Sequence, residues 1–200
     1  DIVSLLSKEN FLIFNNIFFL IITLTVFLGT VFPIISEAIT GEKILVGPTF
    51  YDLVNFPNVL LLMSLMSVAP IIPWKSAKLI TLLNYILKPI LVSAALTILF
   101  GFIFSSIKVL LVLFLSSFVT IVILQDLFID FKMQLSRGLR FNEILDKKSR
   151  RYCAFLIHFG IILLIVGITL SSVYGTKSDF ILSKGESSVI SKYKIELVDT

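Results

Sequence analysis

The chain has 200 residues, of which 57% are hydrophobic and 15% are charged, with a formal net charge of +4 and a mean hydropathy of +1.03. Soluble domains carry about 25% charged residues, so this composition predicts a membrane protein and excludes an ordinary soluble enzyme or nucleic-acid-binding domain. The single cysteine excludes a disulfide framework and a thiolate metal site.

Five apolar stretches are long enough to cross a bilayer as helices, which need about 20 mostly apolar residues each. They are residues 11–33, 57–73, 86–104, 107–129 and 152–174. The second stretch is bracketed by Pro57 and Pro73 and contains Pro70, which favours a kink. The short gap between the third and fourth stretches favours a helical hairpin. The predicted fold class is an all-α polytopic membrane protein with about five transmembrane helices.

Charge placement predicts the orientation of these spans. Residues 130–151 carry seven Lys or Arg and residues 34–56 carry one, so 130–151 is expected to be cytoplasmic. Residues 175–200 are then periplasmic, and their alternation of apolar and polar side chains is typical of antiparallel strands. The chain is therefore divided into a transmembrane helical bundle, 1–174, and the beginning of a periplasmic β-rich domain, 175–200. The predicted location is the cell inner membrane.

His158 is the only histidine of the chain and lies inside the last predicted span. An ionisable side chain in a span is costly and usually faces the helix bundle, so His158 is a candidate functional residue. At 100° per residue, Arg151 lies about 20° from His158 and about 10 Å nearer the cytoplasm. Small residues on the opposite face are predicted to pack against a neighbouring helix, and they are Cys153, Gly160, Gly167 and Ser171.

Two interpretations of this arrangement stay open. A histidine at mid-depth in an apolar pocket, with the cation Arg151 near the rim, suits haem, a planar apolar cofactor with carboxylates at one edge. Alternatively, His158 is a structural residue bonded to the carbonyl of a neighbouring helix, and Arg151 is an interfacial anchor. Asp126 and Asp130 are interpreted as ordinary interfacial carboxylates. No phosphate-binding loop, zinc-protease motif or catalytic triad occurs in the sequence, so no catalytic residue is predicted.

Five blocks of the sequence form an ordered series. They are SKENFLIFNN (7–16), GTVFP (29–33), GEKILVGPTFYD (41–52), PNVLLLMSLMSVAPIIPWK (57–75) and RRYCAFLIHFGIILLIVGITLSS (150–172). In this order they resemble the CcmF/NrfE family, the large integral-membrane haem-lyase subunit of cytochrome c maturation. The resemblance covers residues 7–75 and 150–200 well and the middle of the chain poorly.

This resemblance implies a role in the cytochrome c-type biogenesis haem lyase, which attaches haem covalently to the CxxCH motif of apocytochrome c. It also implies haem b as cofactor, held between two transmembrane histidines, of which His158 is one. Arg151 is expected to bind the same cofactor through a propionate. The partners expected are apocytochrome c, a haem chaperone, other cytochrome c maturation membrane subunits and the lipid bilayer, with no nucleic acid.

The sequence also departs from the family pattern. It has one tryptophan, Trp74, and one histidine, so the tryptophan-rich haem-handling segment and the other family histidines lie outside it. The chain is therefore expected to be a fragment of the C-terminal half, and enzymatic activity is expected only as part of a holocytochrome c synthetase complex. Two other functions stay open: a non-enzymatic haem-binding electron-relay membrane protein, and a polytopic transporter with a structural histidine.

Overall fold

A computed structural model describes residues 7–68, 71–72, 79–175, 187–190, 193–196 and 198. Within these ranges, five helices precede two short strands. They are α1 (Lys8–Thr40), α2 (Pro48–Val68), α3 (Leu79–Gly101), α4 (Ile107–Ser136), α5 (Phe141–Tyr174), β1 (Ser187–Ile190) and β2 (Tyr193–Glu196). Each helix is long and apolar enough to cross a membrane, which confirms the predicted all-α polytopic fold class.

The first helix is longer than its predicted span of 11–33. It begins after Ser7, whose hydroxyl accepts a hydrogen bond from the backbone amide of Asn10, 3.4 Å away. It ends at Gly41, which adopts φ 77° and donates its amide to the carbonyl of Glu37. These two caps satisfy backbone groups that a helix leaves unpaired at its ends, so α1 extends beyond its apolar section.

The second helix begins earlier than its predicted span of 57–73. It starts at Pro48, where a missing amide hydrogen has no effect because the first turn lacks an acceptor for it. Pro57 lies inside the helix, and the side chain of Asn58 donates to the carbonyl of Val54, 2.7 Å away. A local side-chain bond of this kind supports the backbone near an internal proline. Pro70 and Pro73 lie outside the described residues.

The fourth helix is the centre of the bundle, because α2, α3 and α5 all pack against it and α1 packs on α2. The α3–α4 packing forms the helical hairpin that the short gap favoured. One buried cluster joins α4 to α5 and consists of Val119, Ile123, Phe155 and Ile162. The remaining large apolar side chains of the helices are mostly exposed, as expected of surfaces that face lipid.

The contact between α1 and α2 depends on a glycine. A Cβ atom built on Gly29 would lie 2.6 Å from the hydroxyl oxygen of Tyr51 and 2.8 Å from its nearest ring carbon. Only a residue without a side chain therefore allows this close approach of the two helices.

The segment 130–151, predicted as a cytoplasmic loop, is mostly helical. The last turns of α4 and the first turns of α5 occupy it, and only residues 137–140 connect them. Gly138 adopts φ 81° in this turn, a backbone conformation that glycine reaches without strain. A helix can continue past the apolar section that crosses the bilayer, because charged side chains do not end it. Hydropathy therefore predicted an end of α4 and a start of α5 that lie several residues inside the observed helices.

The two strands form an antiparallel hairpin. Ser187 pairs with Glu196, and Ile190 pairs with Tyr193. This pair of strands matches the antiparallel strands that the alternating tail predicted, and a β-rich domain beyond it stays a prediction. Residues 176–186, between α5 and β1, lie outside the described ranges.

Candidate functional site

His158 lies on α5, three residues after the buried Phe155 and four residues before the buried Ile162. It is half-buried, and its Nδ1 lies 2.6 Å from the carbonyl oxygen of Ala154. A carbonyl oxygen can only accept, so the ring proton belongs on Nδ1 and the lone pair on Nε2. The acceptor belongs to α5 itself, rather than to a neighbouring helix as the structural interpretation expected.

An apolar seam runs beside His158. Phe155 and Ile162 pack on Val119 and Ile123 of α4, and Met66, Leu127, Tyr152 and Val166 border this cluster. A hydrocarbon environment of this kind excludes water from the region around the imidazole. His158 is therefore next to the buried cluster that joins α4 to α5.

Four charged side chains meet at the end of this seam nearest the α4–α5 turn. Asp130 Oδ1 accepts from Lys148 Nζ at 2.5 Å and from Arg151 Nη1 at 3.2 Å. Arg151 Nη2 donates to Asp126 Oδ2 at 2.7 Å. We call Asp126, Asp130, Lys148 and Arg151 the charged cluster. Its two carboxylates and two cations balance, as buried charges require.

The charged cluster changes the interpretation of Arg151. Its guanidinium binds two carboxylates, and it also lies over the ring of Phe155, 5.7 Å from the ring centroid. A guanidinium has five N–H donors, so these contacts occupy only part of its capacity. The sequence placed Arg151 correctly on the His158 side of α5 but did not predict its carboxylate partners.

Asp126 and Asp130 are the functional candidates that sequence reasoning underestimated. Asp130 is 4% exposed, so it is not an ordinary interfacial carboxylate. The available signal was the spacing: Asp126 and Asp130 are four residues apart, and Lys148 and Arg151 are three apart, so each pair shares one helix face. Only the packing of α4 on α5 shows that the two faces meet.

The small-residue face of α5 does not pack on another described helix. A Cβ atom added to Gly160 or Gly167 would meet no neighbouring atom within 4 Å, and Cys153 and Ser171 are exposed. The predicted close-packing face is therefore wrong for the part of the chain that the structure describes. The helix packs the wider Phe155 and Ile162 on α4 instead, where van der Waals contacts stabilise the helix pair.

A cleft of about 520 Å³ opens between α2, α4 and α5 at the end of the bundle opposite the charged cluster. Tyr51, Asn55 and Thr169 line it, and Asp52 and Lys108 form an ion pair of 4.0 Å at its edge. The Oδ1 atom of Asn55 is buried with no hydrogen-bond partner among the described residues. The sequence did not predict this cleft, because its residues come from three distant segments.

The residues present fit one axial ligand of a haem. Among the described residues, no three His, Cys, Asp or Glu side chains converge, so this part of the chain offers no ion site made of several such ligands. A haem iron needs only axial ligands from the protein, and a histidine is a common one. A metal-binding histidine usually donates its other ring N–H to a carbonyl or carboxylate, which matches the bond from His158 Nδ1 to Ala154.

Comparison with known proteins found several relatives. No family model and no solved structure matches the chain. The "Cytochrome c-type biogenesis protein CcmF" of Pseudomonas fluorescens is 28% identical over 193 residues, which are 95% of this chain and 28% of the relative. The protein of the same name from Pseudomonas aeruginosa is 29% identical over 95% of this chain and 29% of the relative. That from Escherichia coli is 24% identical over 98% of this chain and 29% of the relative.

The chain therefore spans less than a third of the length of these relatives. The matches extend across all five helices, including the regions that the sequence blocks covered poorly. Its long apolar helices and these relatives together identify it as a multi-pass inner-membrane protein. Over nearly its whole length, the chain is similar to proteins named CcmF.

Proposed function

We propose that this chain forms part of a cytochrome c-type biogenesis protein and contributes His158 as one axial ligand to a membrane-embedded haem b. The observation that carries the proposal is the bond from His158 Nδ1 to the carbonyl of Ala154, 2.6 Å away. It directs the ring proton to Nδ1 and leaves Nε2 able to bind iron. The names of the CcmF relatives support the wider role in cytochrome c biogenesis.

The surroundings of His158 support a ligand role. The neighbouring Phe155 and Ile162 are buried against α4, so the helix that carries the imidazole has a fixed contact on one side. A rigid support keeps a ligand in one orientation, and apolar packing limits the access of water to the iron. A bound haem b would supply one-electron redox chemistry at this position.

The proposed function of the whole protein includes more than haem ligation by His158. In our proposal the chain acts within a haem lyase, with apocytochrome c, a haem chaperone and other maturation subunits as partners. The second histidine ligand then comes from a part of that assembly outside these 200 residues, since His158 is the only histidine here. The turn at residues 137–140 is cytoplasmic and the β hairpin is periplasmic in this proposal.

Arg151 has one proposed contact with the cofactor, in addition to its bonds to two carboxylates. Its bonds to Asp126 and Asp130 leave N–H donors unused, and one of these could bind a haem propionate. The propionate contact stays a prediction, separate from the ligand role of His158. The variant Arg151→Gln in the full-length protein should weaken haem retention more than Arg150→Gln if the contact forms.

Substitution of His158 in the full-length protein tests the proposed function. His158→Ala should lose most of the haem b or leave a five-coordinate spectrum, with cytochrome c maturation impaired. His158→Asn should fail similarly although it changes less volume, because an amide is a poor iron ligand. Thr169→Ala is a matched control on the same face of α5, and it should retain the haem. A normal haem content with an unchanged low-spin spectrum in His158→Ala would show that the ligand assignment is wrong.

A further inference from the structure

The membrane section of α5 begins at the charged cluster. Lys148 lies inside α5 with non-helical backbone angles, φ −120° and ψ 16°. The same residue binds Asp130, and Arg151 follows it by three positions. The kink therefore separates the first turns of α5, which are exposed apart from the buried Ile144, from the section that carries His158. It lies where α5 is bound to α4.

The charged cluster has the form of a two-step ladder between antiparallel helices. Asp130 pairs with Lys148 near the α4–α5 turn, and Asp126 pairs with Arg151 one turn deeper. Arg151 also reaches Asp130, so the two steps are connected. A shift of α5 along α4 by one turn, about 5.4 Å, would separate both pairs. A shift that carried both Lys148 and Arg151 away from Asp130 would leave this buried carboxylate unpaired, which is strongly unfavourable.

Asp130 is the centre of this ladder. Its Oδ1 accepts from Lys148 and Arg151, and its Oδ2 is 3.4 Å from the hydroxyl oxygen of Tyr152. Three contacts from about one turn of α5 therefore converge on a single side chain of α4. A single carboxylate with this many donors fixes the rotation of α5 as well as its depth.

The depth and rotation of α5 that are fixed at Arg151 also determine those of His158. The two residues are seven apart on a continuous helix, a rise of about 10 Å with a rotation close to two full turns. Phe155 lies between them and packs on α4, and Ile162 packs on α4 one turn beyond His158. The ladder and these two side chains together determine how deep His158 lies and which direction it faces.

We propose that Asp130 is a positioning residue, which binds the first turn of the membrane section of α5 to α4 and thereby sets the depth and orientation of the His158 imidazole. This inference rests on the proposed function of His158 as a haem ligand. Asp130 itself does not contact the haem in this proposal. It acts through Lys148, Arg151 and the helix that they begin.

The test replaces Asp130 by asparagine in the full-length protein and compares it with Asp146→Asn. Asp146 is an exposed carboxylate of α5 that makes no ion pair among the described residues, so it controls for loss of one negative charge. The first readout is the electron paramagnetic resonance spectrum of the low-spin haem, whose g values depend on the relative orientation of the two axial imidazoles. The second is the reduction potential of the haem.

A third readout does not depend on haem. Cys153 is exposed on α5 two residues after Arg151, and a spin label attached there reports its depth through its accessibility to oxygen and to a water-soluble nickel chelate. Other cysteines of the full-length protein are replaced for this experiment. We expect Asp130→Asn to shift both the haem g values and the depth of the label, whereas Asp146→Asn leaves both unchanged.

The outcomes separate positioning from other roles. Unchanged g values and unchanged label depth in Asp130→Asn would overturn the proposal. A changed reduction potential with unchanged g values and depth would also overturn it, because Asp130 would then act only through its charge. If Asp130→Asn does not accumulate, Lys148→Gln removes one step of the ladder more gently, and the same shifts are required of it. His158→Ala is measured in parallel: an unchanged haem spectrum in that variant would refute the proposed function, while the label depth still decides the positioning role.

Discussion

Loss of the Arg151 guanidinium should destabilise the packing of α5 on α4, whereas loss of its exposed neighbour Arg150 should not. The Nη2 atom of Arg151 lies 2.7 Å from Asp126, whose side chain is 16% exposed. At an effective dielectric constant of about 20, two opposite charges at that 2.7 Å separation attract by about 6 kcal/mol. Solvent screens the Arg151 side chain, which is 39% exposed, and desolvation of Asp126 is unfavourable, so most of this attraction is offset.

The net effect of Arg151→Gln on the free energy of unfolding is therefore about 2 kcal/mol, within the range of hydrogen bonds between charged groups. Asp130 retains Lys148 in this variant, which keeps the loss below the several kcal/mol typical of an isolated buried charge. Arg150 is exposed and makes no ion pair in the described part of the chain, so Arg150→Gln should change the free energy by less than about 0.5 kcal/mol.

Unfolding of the full-length protein by sodium dodecyl sulfate in mixed micelles measures these free energies. A double-mutant cycle with Asp126→Asn isolates the pair, and its coupling energy should be about 1 to 2 kcal/mol. Equal losses in Arg151→Gln and Arg150→Gln, or a coupling energy near zero, would refute the reasoning. Arg151 would then be an interfacial anchor whose bonds to the carboxylates contribute little.

Two further predictions concern topology and helix packing. In intact cells, a membrane-impermeant maleimide should label Ser187→Cys and not Ser136→Cys, because the seven Lys and Arg of residues 130–151 favour the cytoplasm; labelling of position 136 from outside would reverse the assigned orientation. Gly29→Ala should destabilise the full-length protein by about 1 to 3 kcal/mol, because the new methyl group would overlap Tyr51, whereas Gly167→Ala should be tolerated. A similar loss in both variants would contradict the open face of α5.

Hydropathy predicted the number of membrane helices because the bilayer imposes a minimum apolar length on every span. It did not predict where the helices end. A helix continues into water as long as its backbone groups are paired, as α1 does up to the cap at Gly41 and α4 does up to Ser136. Local caps and prolines, rather than apolar character, determined those ends. Pro48 began α2 nine residues before the predicted start at residue 57.

It was harder to predict which face of a helix packs on its neighbour than to predict the helix itself. Periodicity correctly placed His158 opposite the small residues of α5, but it could not tell which face the neighbouring helix covers. The structure buries Phe155 and Ile162 and leaves Gly160 open. Likewise, the charges of Asp130 and Arg151 were visible in the sequence, but their pairing could be predicted only from the register of α4 against α5. Contacts between distant segments are absent from any single-helix pattern.

The ligand role of His158 is the central claim, and replacement of its side chain by added imidazole tests it most directly. The variant His158→Gly, in the full-length protein, removes the imidazole and leaves a space beside the iron. We predict that the low-spin, six-coordinate haem b spectrum disappears in this variant and returns when free imidazole is added. A low-spin spectrum that persists in His158→Gly without imidazole would contradict the claim.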